Sequence, residues 1–482
     1  MPHATEDKLL PYQRVGADFL AARRFCGLFD EMGLGKTIEA IEGVNTTRAR
    51  RNLVIAPAIG LINWQREIES WASRRDSAII SNKNPDQLAS WQIVNFELFQ
   101  QPAAAMAALK KQRFDTLIVD ESQSLKSHDA ARTWNIYGPH GVARCADRFW
   151  ALSGTPAPNH PGELYSWIVA CCPSAIPVPP ECDYRGRKKR FLDYQEFLDR
   201  YTKMTTTKGG FEKITGGKNM AELRERLKPH FLRRTTAEVL PEMPPVRCSR
   251  LSFAPGEGLG ILDERENIAE IRMAIDAAIV KLTEGNPSVA HDDAMLEALN
   301  YIDTEWLATV RRLYGEALAP MVAEQVSWEL NNGLDKIVVF YHHRAVGNVL
   351  NEMLRDARPV KVDGQTSLGY RQHCIDSFQN DPGVRVFLAQ IDVAHRVITL
   401  TAAAQVLFAE ASWVPGVNFQ AIKRCARFGQ TRSVLARFAV MAGSIHEPIM
   451  RAMIRKAQML AELWGEDVSF NLGETEHAAF AS

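Results

Sequence analysis

The sequence has no excess of charge of either sign: Lys+Arg and Asp+Glu each number 57. No global field draws the chain to nucleic acid or to an acidic surface, so any such contact must come from local patches. No uninterrupted apolar run is long enough to span a membrane, which speaks against a membrane role. The opening residues Met1 to Asp7 carry neither a basic n-region nor an apolar h-region. The expectation is therefore a soluble intracellular protein of the cytoplasm or nucleoid, or of the nucleus in a eukaryote. No C-x-x-C pair occurs among the eight cysteines, and the loose cluster Cys171, Cys172 and Cys182 lacks a partner pair at zinc-ligand spacing. Reduced, buried thiols are expected, with no metal on cysteine. What is present is a 482-residue chain, 46% hydrophobic and 24% charged, which is the composition of two or three globular domains.

One stretch carries chemistry at once: Asp30-Glu31-Met32-Gly33-Leu34-Gly35-Lys36-Thr37. A short apolar segment (Gly27-Leu28-Phe29) precedes it and a helical pattern (Ile38-Glu39-Ala40-Ile41) follows. Strand, glycine loop and a helix opening on Lys-Thr form a cradle for a triphosphate. Glycines admit the phosphates to backbone N–H groups, and the helix N-terminus supplies partial positive charge. Lys36 would reach the β- and γ-phosphates of ATP, and Thr37 would hold Mg²⁺. The strict pattern G-x-x-x-x-G-K-[ST] fails at its first position, which is Asp30. An ordinary glycine turn before a helix is the competing reading. Upstream, Tyr12 and Gln13 open another helical pattern and offer adenine a stacking ring and a two-way amide.

The following segments alternate strand and helix. Leu53–Ala56, Trp91–Asn95, Thr116–Val119 and Arg148–Leu152 read as buried parallel strands, and Ile59–Trp71 as a helix with Ile59, Ile62, Ile68 and Trp71 inward. In doubly wound sheets function gathers at the strands' carboxyl ends. Asp120 and Glu121 stand there, where Asp120 can bind Mg²⁺ and Glu121 can orient the attacking water. A helix cap explains one such acid, but not its combination with Lys36. Ser153 and Thr155, in Ser153-Gly154-Thr155-Pro156, place hydroxyls within reach of that pair or of the γ-phosphate.

The order Leu-Pro-Tyr-Gln, Asp-Glu-Met-Gly-Leu-Gly-Lys-Thr, Val-Asp-Glu-Ser-Gln and Leu-Ser-Gly-Thr-Pro resembles the switch/sucrose-non-fermenting (Swi/Snf) family of ATP-dependent DNA translocases, within helicase superfamily two. Asp30-Glu31-Met32 resembles that family's own form of the loop. The resemblance covers about residues 8 to 460. It implies an α/β fold of two tandem RecA-like doubly wound parallel-sheet lobes with helical insertions. Lobe 1 is expected over residues 1–240 with an insertion at about 157–228. Lobe 2 is expected over 241–465 with a helical protrusion at about 256–332, and 466–482 form a tail without a motif. The Pro241-Glu242-Met243-Pro244-Pro245 linker marks the boundary.

In the second half, Asp335–Phe340, Val384–Ala389 and Gln405–Glu410 read as strands. His342 and His343 are adjacent, and as strand residues they would face opposite ways and not share a metal. Asp363-Gly364-Gln365-Thr366 resembles a family turn. Gln420 to Gln430 reads as one helix with Arg424 and Arg427 on one face, able to reach a γ-phosphate as arginine fingers. The pattern Gln-x-x-x-Arg-x-x-Arg-x-Gly-Gln resembles the family's last helicase motif, with Gln420 at its head. Trp413-Val414-Pro415-Gly416 before it looks most like the annealing-helicase (HepA-related) branch. The basic run Arg185 to Arg190 suits DNA phosphates, nuclear import or simple solvation.

Four positions depart from the family pattern: Gln123 for His, Val397 for Gly, and Lys423 and Ala426 for Asp and His. The phosphate-contacting residues are intact, so hydrolysis is expected to survive. The resemblance implies a monomeric ATP- and Mg²⁺-dependent motor on double-stranded or forked DNA, held through the phosphate backbone. A strand-separating DNA or RNA helicase and a non-hydrolysing DNA-binding scaffold are the alternatives.

Overall fold

The computed structural model describes residues 9–177, 191–206, 212–254, 304–394, 399–427, 429–442, 446–464 and 475–477. The basic run 185–190, most of the expected protrusion, Val397 and most of the tail lie outside the described residues. The chain divides into two compact units. The first comprises Met1–Met204, Ile214–Glu242 and Met459–Asp467, and the second Thr205–Lys213, Met243–Gln458 and Val468–Ser482.

The apolar runs of the first unit form strands because both of their faces can be covered. They are β1 (Phe25–Leu28), β2 (Asn52–Ala56), β3 (Ser77–Ile79), β4 (Trp91–Asn95), β5 (Phe114–Val119) and β6 (Ala146–Leu152). β7 (Thr202–Thr206) and β8 (Glu212–Gly217) make a separate two-stranded sheet, and β9 (Phe231–Leu232) joins the main one. The main sheet runs β3-β4-β2-β5-β6-β1-β9 with every pairing parallel. Leu53, Val54, Ile55 and Leu117, Ile118, Val119 are fully buried, as a strand packed on both faces requires. This order makes β1, β6 and β5 neighbours, so the loops leaving them open at one end of the sheet.

Three helices frame that end: α1 (Pro11–Ala21), α2 (Lys36–Thr47) and α3 (Leu61–Trp71). The inward residues of α3 are Trp64 and Ile68, whereas Ile62 is 54% exposed, so the expected inward face is rotated. The indole at position 64 fixes that rotation, because its N–H needs a buried acceptor. Val15 of α1 likewise points outward, and Gln13, Gly16, Ala17 and Leu20 are buried.

The described part of the expected insertion is no appendage. Trp167, Ile168, Phe197, Tyr201, Leu223 and Leu227 belong to the core that holds Phe29, Leu117 and Phe149.

The second unit repeats the plan. Its strands are β10 (Val246–Phe253), β11 (Ile337–Tyr341), β12 (Val360–Val362), β13 (Val386–Gln390), β14 (Gln405–Phe408), β15 (Val434–Met441) and β16 (Thr475–His477). They run β12-β13-β11-β14-β15-β10-β16, all parallel. The helix Thr304–Asn331 buries Leu318, Val322, Val326 and Leu330 in this core, so the described end of the expected protrusion is a core helix.

The end of lobe 2 expected at 465 requires correction. Leu460, Leu463 and Trp464 of the helix His446–Trp464 pack into the first unit's core, and β16 of the expected tail pairs with β10. Among the described residues the cysteines are free thiols, and Cys26, Cys171, Cys172, Cys374 and Cys425 are buried.

Arg437 of β15 is buried and its Nη2 donates to Glu329 Oε2 at 2.6 Å, tying the helix Thr304–Asn331 to the sheet. Glu329→Ala strands that guanidinium and should cost about 3–5 kcal/mol. A lower urea midpoint by circular dichroism is expected, with most of the loss recovered when Arg437→Met is combined with Glu329→Met. An unchanged midpoint in Glu329→Ala contradicts the pairing.

Candidate active site

The turn after β1 depends on two glycines. Gly33 and Gly35 have φ of +90° and +87°, a region closed to most side chains. Gly35 is the N-cap of α2, and no side chain caps that helix end. Tyr12 Oη donates to Leu34 O at 2.9 Å and Gln13 Nε2 donates to the same oxygen at 3.2 Å. Gln13 Oε1 accepts from Leu10 N at 3.0 Å. Both expected adenine contacts thus brace the glycine loop here. Met32 lies against Gly154 of the β6 loop, where a Cβ would come within 2.2 Å of Met32 Cγ.

Lys36 opens α2, and its Nζ donates to Asp30 O at 2.7 Å and Glu31 O at 3.1 Å. Burial lowers its pKa, while the charges of Asp30, Glu121, Asp120 and Glu39 oppose that shift. The loop lysine and the β5 acids therefore share one electrostatic site. Asp120 is pushed up to about 6, first by burial and then by the charge of Glu121. Glu121 sits in the left-handed region at φ +50° and ψ +51°, a strain on the order of 1–3 kcal/mol for a non-glycine residue.

A hydrogen-bond relay holds the Glu121 side chain. Gln123 Nε2 donates to Glu121 Oε2 at 2.7 Å, Ser153 Oγ donates to Gln123 Oε1 at 2.6 Å, and Thr155 N donates to Ser153 Oγ at 3.0 Å. Ser153 thus reaches the acidic pair through Gln123. The amide at 123 supplies a donor and an acceptor at once.

Sequence reasoning missed two residues here. Trp64 Nε1 donates to Asp120 Oδ2 at 2.8 Å, from α3 after the neighbouring strand β2. Trp64 lies four residues before Ile68 on the same helical face, but the stripe read from Ile59, Ile62, Ile68 and Trp71 left it out, and nothing local gave its indole N–H an acceptor. Arg234 meets the carboxylates of Asp30 and Glu39, both of which are fully buried. Glu39 is pushed up to about 8, first by burial and then by the charge of Asp30, against the opposing pull of Arg234. Arg234 lies 204 residues from Asp30 in sequence, and no local pattern pairs them.

In the second unit the arginine segment differs from expectation. The helix is Pro415–Ile422, and Arg424 and Arg427 follow it in turns, so they do not share a helical face. Three-residue turns replace the helix there: Arg424 N donates to Ala421 O and Cys425 N to Ile422 O. Gln430 Nε2 then donates to Thr401 O, Ala403 O and Cys425 O at 3.1, 2.9 and 3.2 Å, pinning the segment. Arg424 is buried, and Arg427 Nη1 donates to Thr399 Oγ1 at 2.9 Å. Ala426 fills the second core, and Gln420 is buried on the helix.

His342 and His343 lie in a bend after β11, with ring centroids 4.8 Å apart, so they do not face opposite ways. A carboxylate holds them. Glu410 Oε2 accepts from His342 N and His343 N at 2.9 and 2.8 Å, and its Oε1 is 2.6 Å from His343 Nδ1. Among the described residues no group of three or more His, Cys, Asp and Glu is arranged to hold a metal ion.

A triphosphate with Mg²⁺ fits the first-unit donor set. The uncapped α2 N-terminus, two glycines without Cβ and Lys36 suit phosphate, and a half-buried Asp120 beside Glu121 suits a divalent cation. Mg²⁺ commonly binds through one or two carboxylates plus phosphate oxygens.

Burial raises the Glu410 pKa, but the His343 ring, two backbone N–H groups and the His343 charge outweigh it, and the net shift is downward from 4.5. Stability from this carboxylate is present above 4.5 and is lost as pH falls through its folded pKa. Glu410→Gln should therefore be less stable than wild type near neutral pH, with the gap closing in acid. A gap that does not change with pH in thermal melts contradicts the ionised clasp.

Residues 12–254 match the family model described as SNF2-related domain, and residues 321–429 match the helicase conserved C-terminal domain. The human DNA annealing helicase and endonuclease ZRANB3 is 29% identical over 476 residues, covering 95% of this chain and 40% of that protein. The SWI/SNF-related matrix-associated actin-dependent regulator of chromatin subfamily A-like protein 1 of Xenopus tropicalis is 31% identical over 473 residues, covering 96% and 46%. The chain spans less than half the length of these two relatives. A solved Sulfolobus solfataricus SWI2/SNF2 ATPase core in complex with dsDNA aligns over 95% of this chain and 94% of that one, with 20% identity and a TM-score of 0.42. The first family model alone takes in just over half of the 482 residues, and the chain belongs to the SNF2-related family.

Proposed function

We propose that the chain is a DNA-stimulated ATPase that moves along double-stranded or forked DNA and remodels or reanneals it. The observation that carries this reading is one stretch with positive φ at Gly33 and Gly35, a helix start that no side chain caps, and Lys36 in the field of Asp120 and Glu121. The printed descriptions of the relatives, a DNA annealing helicase among them, support DNA as the partner.

The residues divide the work. The loop Met32-Gly33-Leu34-Gly35 offers backbone N–H groups to the phosphates, and Lys36 binds their oxygens. Tyr12 and Gln13 hold the loop and border the base. Thr37 and Asp120 would hold Mg²⁺, which would supply positive charge against the phosphates. Glu121 orients the attacking water, and the Gln123–Ser153 relay fixes the carboxylate that does so. Gln123 cannot carry a proton, so the relay positions and does not shuttle. Arg424 and Arg427 stabilise charge developing on the γ-phosphate, with Gln420 beside them in sequence. A nucleotide preferred by one conformation of the chain then drives movement along the duplex, gripped through its phosphates.

ATP hydrolysis should be measured without nucleic acid and with duplex, single-stranded and forked DNA and RNA. Stimulation by duplex or forked DNA is expected, with turnover abolished in Lys36→Ala and Glu121→Gln. Arg424→Ala should lose at least tenfold in turnover and bind ATP nearly normally. No hydrolysis under any condition, or stimulation by RNA alone, defeats the proposal.

A further inference from the structure

Asp30 stands where the strict phosphate-loop pattern has glycine, and the structure gives its carboxylate a partner. Arg234 Nε donates to Asp30 Oδ1 at 3.1 Å and Oδ2 at 3.0 Å, and Nη2 donates to Glu39 Oε2 at 2.8 Å. The same guanidinium also donates to Tyr12 O. One side chain thus joins α1, the start of the glycine loop and the first turn of α2. Gly16 of α1 is required for this: a Cβ there would lie 1.5 Å from Glu39 Oε2 and 2.8 Å from Arg234 Nη2.

The segment that carries Arg234 is itself fastened along the loop. Phe29 N donates to Leu232 O at 2.7 Å and Glu31 N to Arg234 O at 2.9 Å. Thr236 N donates to Glu31 Oε2 at 2.5 Å, and Arg233 Nη1 donates to Phe29 O at 2.7 Å and Gly154 O at 3.3 Å. The carbonyls that hold Lys36 Nζ belong to Asp30 and Glu31, the two residues this segment grips.

We infer that Arg234 is a positioning residue for nucleotide binding, and that residues 231–236 form a clasp setting the glycine loop and Lys36 for phosphate. The inference rests on the ATP-binding reading above. A lysine at 234 keeps the charge but cannot span four acceptors on three elements with a planar fork. Removing the cation alone strands two buried carboxylates, which is a folding defect and not by itself a test of positioning.

Two variants separate these effects. Arg234→Lys retains charge. The combination Asp30→Asn, Glu39→Gln and Arg234→Gln removes the buried charges together, so that folding does not depend on their balance. Binding of a fluorescent ATP analogue with Mg²⁺ is measured beside thermal melts and steady-state kinetics. Both variants should melt cooperatively and bind the analogue at least tenfold more weakly than wild type, and in Arg234→Lys the loss should fall mainly on KM. A folded triple variant with wild-type affinity overturns the inference, since Arg234 then only balances charge. Wild type that binds no analogue, or Lys36→Ala that binds as tightly as wild type, defeats the ATP-binding reading itself and the inference with it.

Discussion

Charge balance in a dry place governs the first unit. Four carboxylates act on Lys36: Asp30, Glu121, Asp120 and Glu39. Arg234 offsets two of them directly, and Lys36 is the other cation in the cluster. Burial first, and a neighbouring carboxylate second, push Glu39 up to about 8 and Asp120 to about 6. Burial makes a surplus of carboxylates costly unless cations or protons relieve it. A divalent cation would offset it, and the open α2 N-terminus beside it would accept the phosphates that accompany that cation. Sheet order, loop glycines, the Trp64 and Gln123 hydrogen bonds and the Arg234 clasp all maintain this arrangement.

The sheet does most of the placing. Parallel pairing of β1, β6 and β5 brings together three loops, the outermost of which are more than a hundred residues apart in sequence. Each loop then needs only short-range devices: positive φ at Gly33 and Gly35, a strained Glu121, and a serine that reaches Gln123. The second unit uses the same economy. Gln430 gathers three carbonyls around the arginine segment, and Glu410 gathers two N–H groups at the end of β11.

Buried strands and the placement of the loop residues were legible in the sequence. Runs such as Leu53–Ala56 and Thr116–Val119 can only be strands covered on both faces, and Lys36, Thr37, Asp120 and Glu121 announce themselves by type and position. Short or arginine-interrupted strands such as β3, β9 and β10 give too little apolar periodicity to be read. Arg424 and Arg427 have helical spacing, yet three-residue turns after Ile422 end the helix, a choice made by Gln430 and the 399–403 loop. The partners of Arg234 were illegible for a different reason: they are fixed by tertiary proximity across 204 residues of chain. Asp30 departs from the strict phosphate-loop pattern, and the arginine that holds its carboxylate is 204 residues away.

The central claim is that this site carries a negative surplus matched to a magnesium-bound triphosphate. The most direct measurement is ATP affinity by calorimetry with Mg²⁺ and with EDTA, in wild type and in Asp120→Asn. The account predicts that Mg²⁺ tightens wild-type binding at least tenfold and that Asp120→Asn loses most of that gain. Equal affinity with and without Mg²⁺ in the wild type would contradict it.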